Sequence, residues 1–208
     1  MGKPQGRLFI ISAPSGAGKT SLTRAAVDKL NAAGMPSAIS VSYTTRAPRE
    51  GEADGVHYHF VTPERFEAMV RAHEFFEHAE VYGRRYGTGK AATAALRTAG
   101  TQVILDIDWQ GGRSVRALAH DAVSIFILPP SLDELERRLR GRGQDEEAEV
   151  KRRMAQAQAE MSHYQEYEHH IINVDFDRAL AELVNLIRSG GENRTGAAHK
   201  SFIEKLVG

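Results

Sequence analysis

Short apolar runs alternate with stretches of helical spacing along most of this chain. Leu8 to Ile11 is continuously apolar, which predicts a strand covered on both faces. Leu22, Ala25, Ala26, Lys29 and Leu30 then recur at three- and four-residue intervals, a helical stripe stopped at Gly34. Ile39 to Tyr43 reads as a second strand, and Val56 to Val61 alternates as a further one. Thr62-Pro63 opens a helix, with a hydroxyl at the cap and proline in the first turn. Phe75 to Tyr82 predicts a carboxylate-rich strand, followed by a glycine-bearing segment at 83–89 and an alanine-rich helix from Lys90 to Ala99. Val103 to Asp108 is an apolar strand ending in carboxylates, and Val123 to Leu128 another buried strand closed by Pro129-Pro130. Ser131 to Glu134 has the capping-box pattern, Ile171 to Val174 is a last strand and Asp177 to Ile187 a last helix. Strand–helix alternation of this kind predicts an α/β fold with a mostly parallel sheet flanked by helices. The polar, glycine-rich stretch 189–198 predicts a linker, after which Phe202, Ile203 and Leu206 fit one amphipathic turn.

The first strand runs into Ala13-Pro14-Ser15-Gly16-Ala17-Gly18-Lys19-Thr20 at the start of the first helix. Such a turn points backbone N–H groups and the positive end of a helix dipole at phosphates. Lys19 would reach the terminal phosphates and the Thr20 hydroxyl would ligate Mg²⁺. The general pattern opens with glycine where this chain has Ala13, so that position must tolerate a Cβ. Asp106 and Asp108 end an apolar strand, where open α/β sheets bind ligands, and Asp106 suits the shell of a phosphate-bound Mg²⁺.

Composition narrows the class. The 208 residues fit one domain, expected over 1–188 with a flexible tail at 189–208. Lysine plus arginine equals aspartate plus glutamate at 27 each, which argues against a polyanion-binding protein, so no nucleic-acid partner is expected. The absence of cysteine excludes disulfides and fits a reducing compartment. No apolar run reaches membrane-spanning length, so no membrane partner is expected and the cytoplasm is the default location. The oligomeric state stays open between monomer and homo-oligomer.

Taken in order, the phosphate loop, Thr44-Thr45-Arg46-Ala47-Pro48-Arg49 and Leu105-Asp106-Ile107-Asp108-Trp109-Gln110-Gly111 resemble guanylate kinases of the bacterial type. The resemblance runs from about Arg7 to Arg188 and includes the Ala-Pro-Ser-Gly form of the loop. It implies transfer of the ATP γ-phosphate to GMP with Mg²⁺, and a P-loop kinase core carrying a GMP-binding region (about 40–97) and a lid (about 131–158). Arg46, Arg49, Tyr58 and Tyr86 match the family's clamp on the GMP phosphate. Glu77, Ser42 and Thr88 match its readers of guanine, a base with donors on one edge beside an acceptor. Asp108 resembles an acid facing the GMP side. Arg138, Arg142 and Arg153 resemble lid arginines, with Gly141 and Gly143 as pivots, and Asn173 a residue near adenine.

Each residue taken singly has a blander reading. Tyr58 could be core, Glu77 part of a solvated acidic face, and Arg46 and Arg49 surface charges. Glu134–Arg138, Glu147–Lys151 and Glu149–Arg153 have the spacing of exposed helical ion pairs. His57 and His59 alternate on one strand face, but with no third ligand nearby they read as exposed strand residues rather than a metal pair. Asp108-Trp-Gln-Gly111 mimics a GTPase switch, yet no Asn-Lys-x-Asp motif follows it. A non-catalytic guanylate-kinase-like module that binds phosphopeptides is the alternative; in such modules the phosphate loop is typically damaged.

Overall fold

The structure, a computed structural model, describes residues 4–81, 83–141, 147–192, 202, 203 and 206. Five parallel strands form the central sheet in the order β2 (Ser37–Ile39), β7 (Gln102–Asp106), β1 (Leu8–Ser12), β8 (Val123–Leu128), β9 (His169–Ile172). The three middle strands read as unbroken apolar runs because helices cover both faces. On one face Phe9, Ile11 and Ile125 pack with Leu22 and Leu30 of α1 (Lys19–Ala32) and Leu183 and Ile187 of α7 (Phe176–Ser189). On the other, Leu8, Ile10 and Phe126 pack with Val115 of α4 (Trp109–Leu118), Leu135 and Leu139 of α5 (Leu132–Arg140), and Ala157 of α6 (Glu147–Met161).

A second sheet of four strands projects from this core in the order β4 (His59–Phe60), β3 (Ser42–Thr44), β6 (Arg84–Gly89), β5 (Phe75–Val81). It is mixed: β3 runs antiparallel to β6 and parallel to β4, while β5 and β6 form an antiparallel hairpin. Its own core is small, with Phe66 and Met69 of α2 (Pro63–Arg71) against Phe75. Phe66 and Phe75 stack with ring centroids 4.5 Å apart. Helix α3 (Lys90–Thr98) leads back to β7.

Several expectations change. The single strand expected over Ile39 to Tyr43 is two strands in different sheets. Ser40 still donates its N–H to Ile104 at 2.9 Å, and its hydroxyl pairs with Thr93 of α3 at 3.2 Å, which anchors the crossing between sheets. Of the alternating 56–61 stretch only His59–Phe60 pairs as a strand, because His57 turns back to accept the Ala53 N–H at 3.0 Å. The glycine-bearing stretch 83–89, left without an element by the pattern, supplies β6 at the centre of the second sheet. Ion pairs on the charged helices also go beyond the expected spacing, although Lys151 still acts on Glu147 and Arg153 on Glu149. Glu134 holds Arg138 as expected, but Glu147 pairs with Arg140 of the preceding helix and Glu149 with Arg152. At the C-terminus, Ile203 is fully buried in the cluster around α4 to α6 and Leu206 packs against it. The stretch expected as tail therefore contributes to the core.

Candidate active site

The phosphate loop lies at the C-terminal end of β1, the central strand. Helix α1 begins directly after Gly18, whose φ of +94° opens the turn and whose missing Cβ makes room for the Asn173 Nδ2, which would stand 2.6 Å from it. Asn173 donates from that nitrogen to the Ala17 carbonyl at 2.8 Å, so the residue expected near adenine holds the loop from beneath. Ala13 is not among the residues with left-handed backbone, so the departure from the usual glycine is tolerated. On its outer side the loop is held by Glu160 of α6, whose Oε2 accepts the Ser15 N–H at 3.1 Å.

Lys19 reaches across to the end of β7, where it contacts Asp106 Oδ1 and donates to the Ile107 carbonyl at 3.3 Å. Thr23, one turn along α1, donates to Asp106 Oδ2 at 3.2 Å. Burial pushes the Lys19 ammonium down to about 8, against the upward pull of Asp108 and Glu160. Asp108 begins α4: its Oδ1 accepts the Gly111 N–H at 2.9 Å, which satisfies one of the helix's unpaired donors. Thr20 is exposed at the rim, beside Asp106.

The second sheet closes the other side. Ser42, Thr88 and Glu77 stand opposite one another on β3, β6 and β5, so three residues far apart in sequence form one row. Thr88 is fully buried and donates to Glu77 Oε1 at 2.7 Å. Glu77 itself is only 6% exposed, which rules out the solvated-face reading. Its burial pushes the carboxyl up to about 7; the Asp108 charge adds to the rise and the Thr88 hydrogen bond opposes it. Between the two sides lies a cleft of about 280 Å³. Lys19, Thr20, Asp106 and Asp108 line it from the core, and Ser42, Arg49, Tyr58, Glu77 and Tyr86 from the second sheet.

This cleft joins a phosphate loop to a row of guanine-compatible groups, and a family model described as guanylate kinase matches residues 5–190. The chain belongs to the guanylate kinase family. A guanylate kinase of Shewanella sp. (strain MR-7) is 55% identical over 194 residues, 93% of this chain and 91% of that one. One of Salmonella choleraesuis is 50% identical over 205 residues, 98% of each chain. Among solved structures, the guanylate kinase of Anaplasma phagocytophilum superposes with a TM-score of 0.72 at 30% identity, covering 98% of this chain and 96% of that one.

Not every residue expected at a guanylate kinase site faces this cleft. Arg46 is not among the lining residues but adjoins two that are: Glu52 holds it, it rests on the Tyr58 ring with Cζ 5.4 Å from the centroid, and Tyr86 interacts with it. Arg138 turns to Glu134 and donates to the Asn173 carbonyl at 3.1 Å, so it braces the loop's support rather than lining the cleft. Arg153 is half-buried on α6 and is not among the lining residues. Arg142, with the Gly143 pivot, lies outside the described residues. The structure adds Glu52, Thr23, Glu160 and Gly111, which sequence reasoning missed. Glu52 carried a faint signal, an acid three residues after Arg49 in a loop rich in arginine. Glu160 carried none, because its partner is 145 residues away. Gly111 sits in α4, where a Cβ would stand 2.6 Å from Glu77 Oε2.

Proposed function

We infer that this chain catalyses transfer of the ATP γ-phosphate to GMP, with dGMP as a second acceptor, in purine nucleotide metabolism in the cytoplasm. No described helix is long and apolar enough to cross a membrane. The observation that carries the reading is the pair Ser42 and Glu77 facing Lys19 and Asp106 across one cleft, with the buried Thr88 between them in register and bonded to Glu77. Glu77 would accept the N1 and N2 hydrogens of guanine and Ser42 would serve O6. Adenine would leave Glu77 unpaired, and a site built this way rejects the wrong base by roughly 10⁴-fold in favourable cases.

Arg46, Arg49, Tyr58 and Tyr86 would hold the acceptor phosphate, with planar guanidinium forks matched to its oxygens. The loop amides of Gly16, Gly18, Lys19 and Thr20 and the α1 N-terminus would cradle the ATP phosphates, those of Ser15 and Ala17 being held by Glu160 and the Pro14 carbonyl. Hard oxygen donors fit a magnesium ion here: the exposed Thr20 hydroxyl would hold it directly and Asp106, already engaged by Lys19 and Thr23, through water. When bound, the ion would neutralise charge on the β- and γ-phosphates. The acceptor oxygen is already anionic at neutral pH, so no general base is required. What the chain's residues supply is alignment of the two phosphates and positive charge from Lys19 and Arg46; Arg142, and Arg138 and Arg153 once turned from their present positions outside the cleft, would add to it as lid arginines. An intact Gly18-Lys19-Thr20 cradle weighs against a purely phosphopeptide-binding module.

The test is ADP formation from ATP with GMP, dGMP, AMP and UMP compared as acceptors. Turnover confined to the two guanine nucleotides is expected. Equal turnover of AMP would overturn the assignment of Glu77 and Ser42.

A further inference from the structure

Arg46 reaches the acceptor side already held by an anion of the chain itself. Glu52 accepts from it with both oxygens, Nη1 to Oε2 at 2.9 Å and Nη2 to Oε1 at 2.8 Å. The same Oε2 accepts the backbone N–H of Arg49 at 2.7 Å, so one carboxylate fixes one loop arginine by its side chain and the other by its backbone. The side chains of the Arg46–Glu52 pair are 15% and 17% exposed, and the guanidinium rests against the neighbouring rings of Tyr58 and Phe60, at 5.4 and 5.8 Å from their centroids. Arg46 holds its Glu52 partner ionised, pulling the carboxyl down to about 2.

A guanidinium has five N–H donors in a rigid plane. Three are used here, two by Glu52 and one by the Ala47 carbonyl, which takes Nη1 at 2.8 Å. The remaining two, Nε–H and the second hydrogen of Nη2, lie side by side on one edge of the plane. That edge can grip two phosphate oxygens, and Tyr86 lies near enough to interact with the same guanidinium. Without Glu52, Arg46 would lose its two-pronged anchor and keep the Ala47 carbonyl, Tyr86 and its ring contacts, so a more flexible side chain would have to be ordered each time a phosphate binds.

We propose that Glu52 is a positioning residue for the acceptor phosphate site: by engaging Arg46 end-on, it presents the guanidinium's free side edge to the phosphate of GMP. This rests on the reading of Arg46 as part of the phosphate clamp. The opposite role is a rival anion that must be displaced by the substrate, and it predicts tighter GMP binding when the carboxylate is removed.

The test is steady-state kinetics with GMP and ATP varied separately for Glu52→Ala, Glu52→Gln, Arg46→Ala and the double variant Arg46→Ala/Glu52→Ala, with thermal melts as the folding control. Glu52→Ala should raise the GMP KM roughly ten- to a hundredfold, the size of a hydrogen-bonded charge contact. The ATP KM should stay within about twofold, since that part of the site is untouched. Glu52→Gln keeps the shape and one acceptor oxygen, should recover part of the loss, and serves as the test variant if the alanine form does not fold. Because Glu52 acts mainly through Arg46, adding Glu52→Ala to Arg46→Ala should cost much less than Glu52→Ala costs alone, the remainder coming through its hold on the Arg49 backbone. If Arg46→Ala leaves the GMP KM unchanged, the clamp reading fails. If Arg46→Ala raises it while Glu52→Ala and Glu52→Gln lower it, leave it unchanged or add independently, the positioning role alone is overturned.

Discussion

The two halves of the cleft are built in opposite ways. On the donor side, one unbroken stretch from Ala13 to Thr20 supplies backbone amides and the start of a helix, set on the fully buried central strand. On the acceptor side, single side chains from β3, β5 and β6 form a row on a small sheet whose own core is Phe66, Met69 and Phe75. A cradle of amides depends on local backbone shape, whereas a row of side chains depends on register and on what is packed behind each one. Damage to the donor half should therefore appear in turnover, and damage to the acceptor half in substrate choice and KM.

Lys19→Ala should break the donor half most severely. It removes the ammonium aimed at the transferred phosphate, and loss of one such charge-stabilising group costs roughly 10²- to 10³-fold or more in kcat. Because the side chain sits at the rim of the core, the fold should persist, with Asp106 relieved of a partner but still holding Thr23. ADP release measured beside a thermal melt tests both statements. Near-normal GDP production would contradict the donor assignment.

Glu77→Gln probes the acceptor half by the same logic. Glutamine keeps the size and the contact with Thr88 but offers one acceptor where guanine needs two, so kcat/KM for GMP should fall about 10²-fold while AMP gains relative to it. The pH dependence has a definite sign. With its carboxyl near 7 in the folded chain, Glu77 is increasingly protonated as pH drops below about 7, and guanine binding should weaken by up to about tenfold per unit. Guanosine is the better probe, since the GMP phosphate itself titrates near pH ~6. The dependence should flatten in Glu77→Gln. For stability the sign is reversed from the usual carboxylate. The unfolded chain loses this proton first, so between about 4.5 and about 7 rising pH destabilises the empty protein, by about 3 kcal/mol in all. Removing that cost should make Glu77→Gln more heat-stable than the parent at neutral pH.

The same contrast explains what could be read from the chain. The donor half was legible because its residues are neighbours: an apolar strand, a glycine turn and Lys-Thr at a helix start form a local pattern with one geometry. The central strands were legible for the same reason, since burial on both faces leaves an unbroken apolar run. The second sheet resisted. Its strands β3 and β4 have only three and two residues, and β6 carries two glycines that hide its strand pattern until its partners on both sides are known. Ser42, Thr88 and Glu77 were found only through the family resemblance; nothing in their surroundings says that they share a row. Arg138 and Asn173 were picked out, but their role beneath the phosphate loop depends on tertiary packing that spacing does not encode.

Glu160 is the exception that sharpens the contrast, a long-range side chain on which the donor cradle leans. Glu160→Ala should raise the ATP KM about five- to tenfold, the size of one ordinary hydrogen bond, and leave the GMP KM near its parent value. Glu160→Gln keeps an acceptor for the Ser15 N–H and should recover most of the loss. If both variants changed GMP and ATP alike, the cradle would be no more local than the row it faces.

The gentlest probe of the acceptor half leaves every functional group in place. Gly111→Ala adds one methyl to α4 with its carbon 2.6 Å from Glu77 Oε2, too close to coexist with the present carboxylate position. Either the carboxylate or the helix must give way, and the carboxylate is the softer of the two because it can rotate about its own side-chain bonds. Alanine also favours a helix over glycine by roughly 1 kcal/mol, which offsets part of the crowding, so the melting temperature should move little. What should move is the guanine reader: the GMP KM is expected to rise a few-fold, on the scale of a weakened rather than a lost hydrogen bond. With bound GMP still aligned by its phosphate, kcat should change less. A row that depends on packing behind each member must respond to this methyl. An unchanged GMP KM, with a melt showing the protein folded, would mean that the row tolerates displacement and that the phosphate clamp alone positions the acceptor.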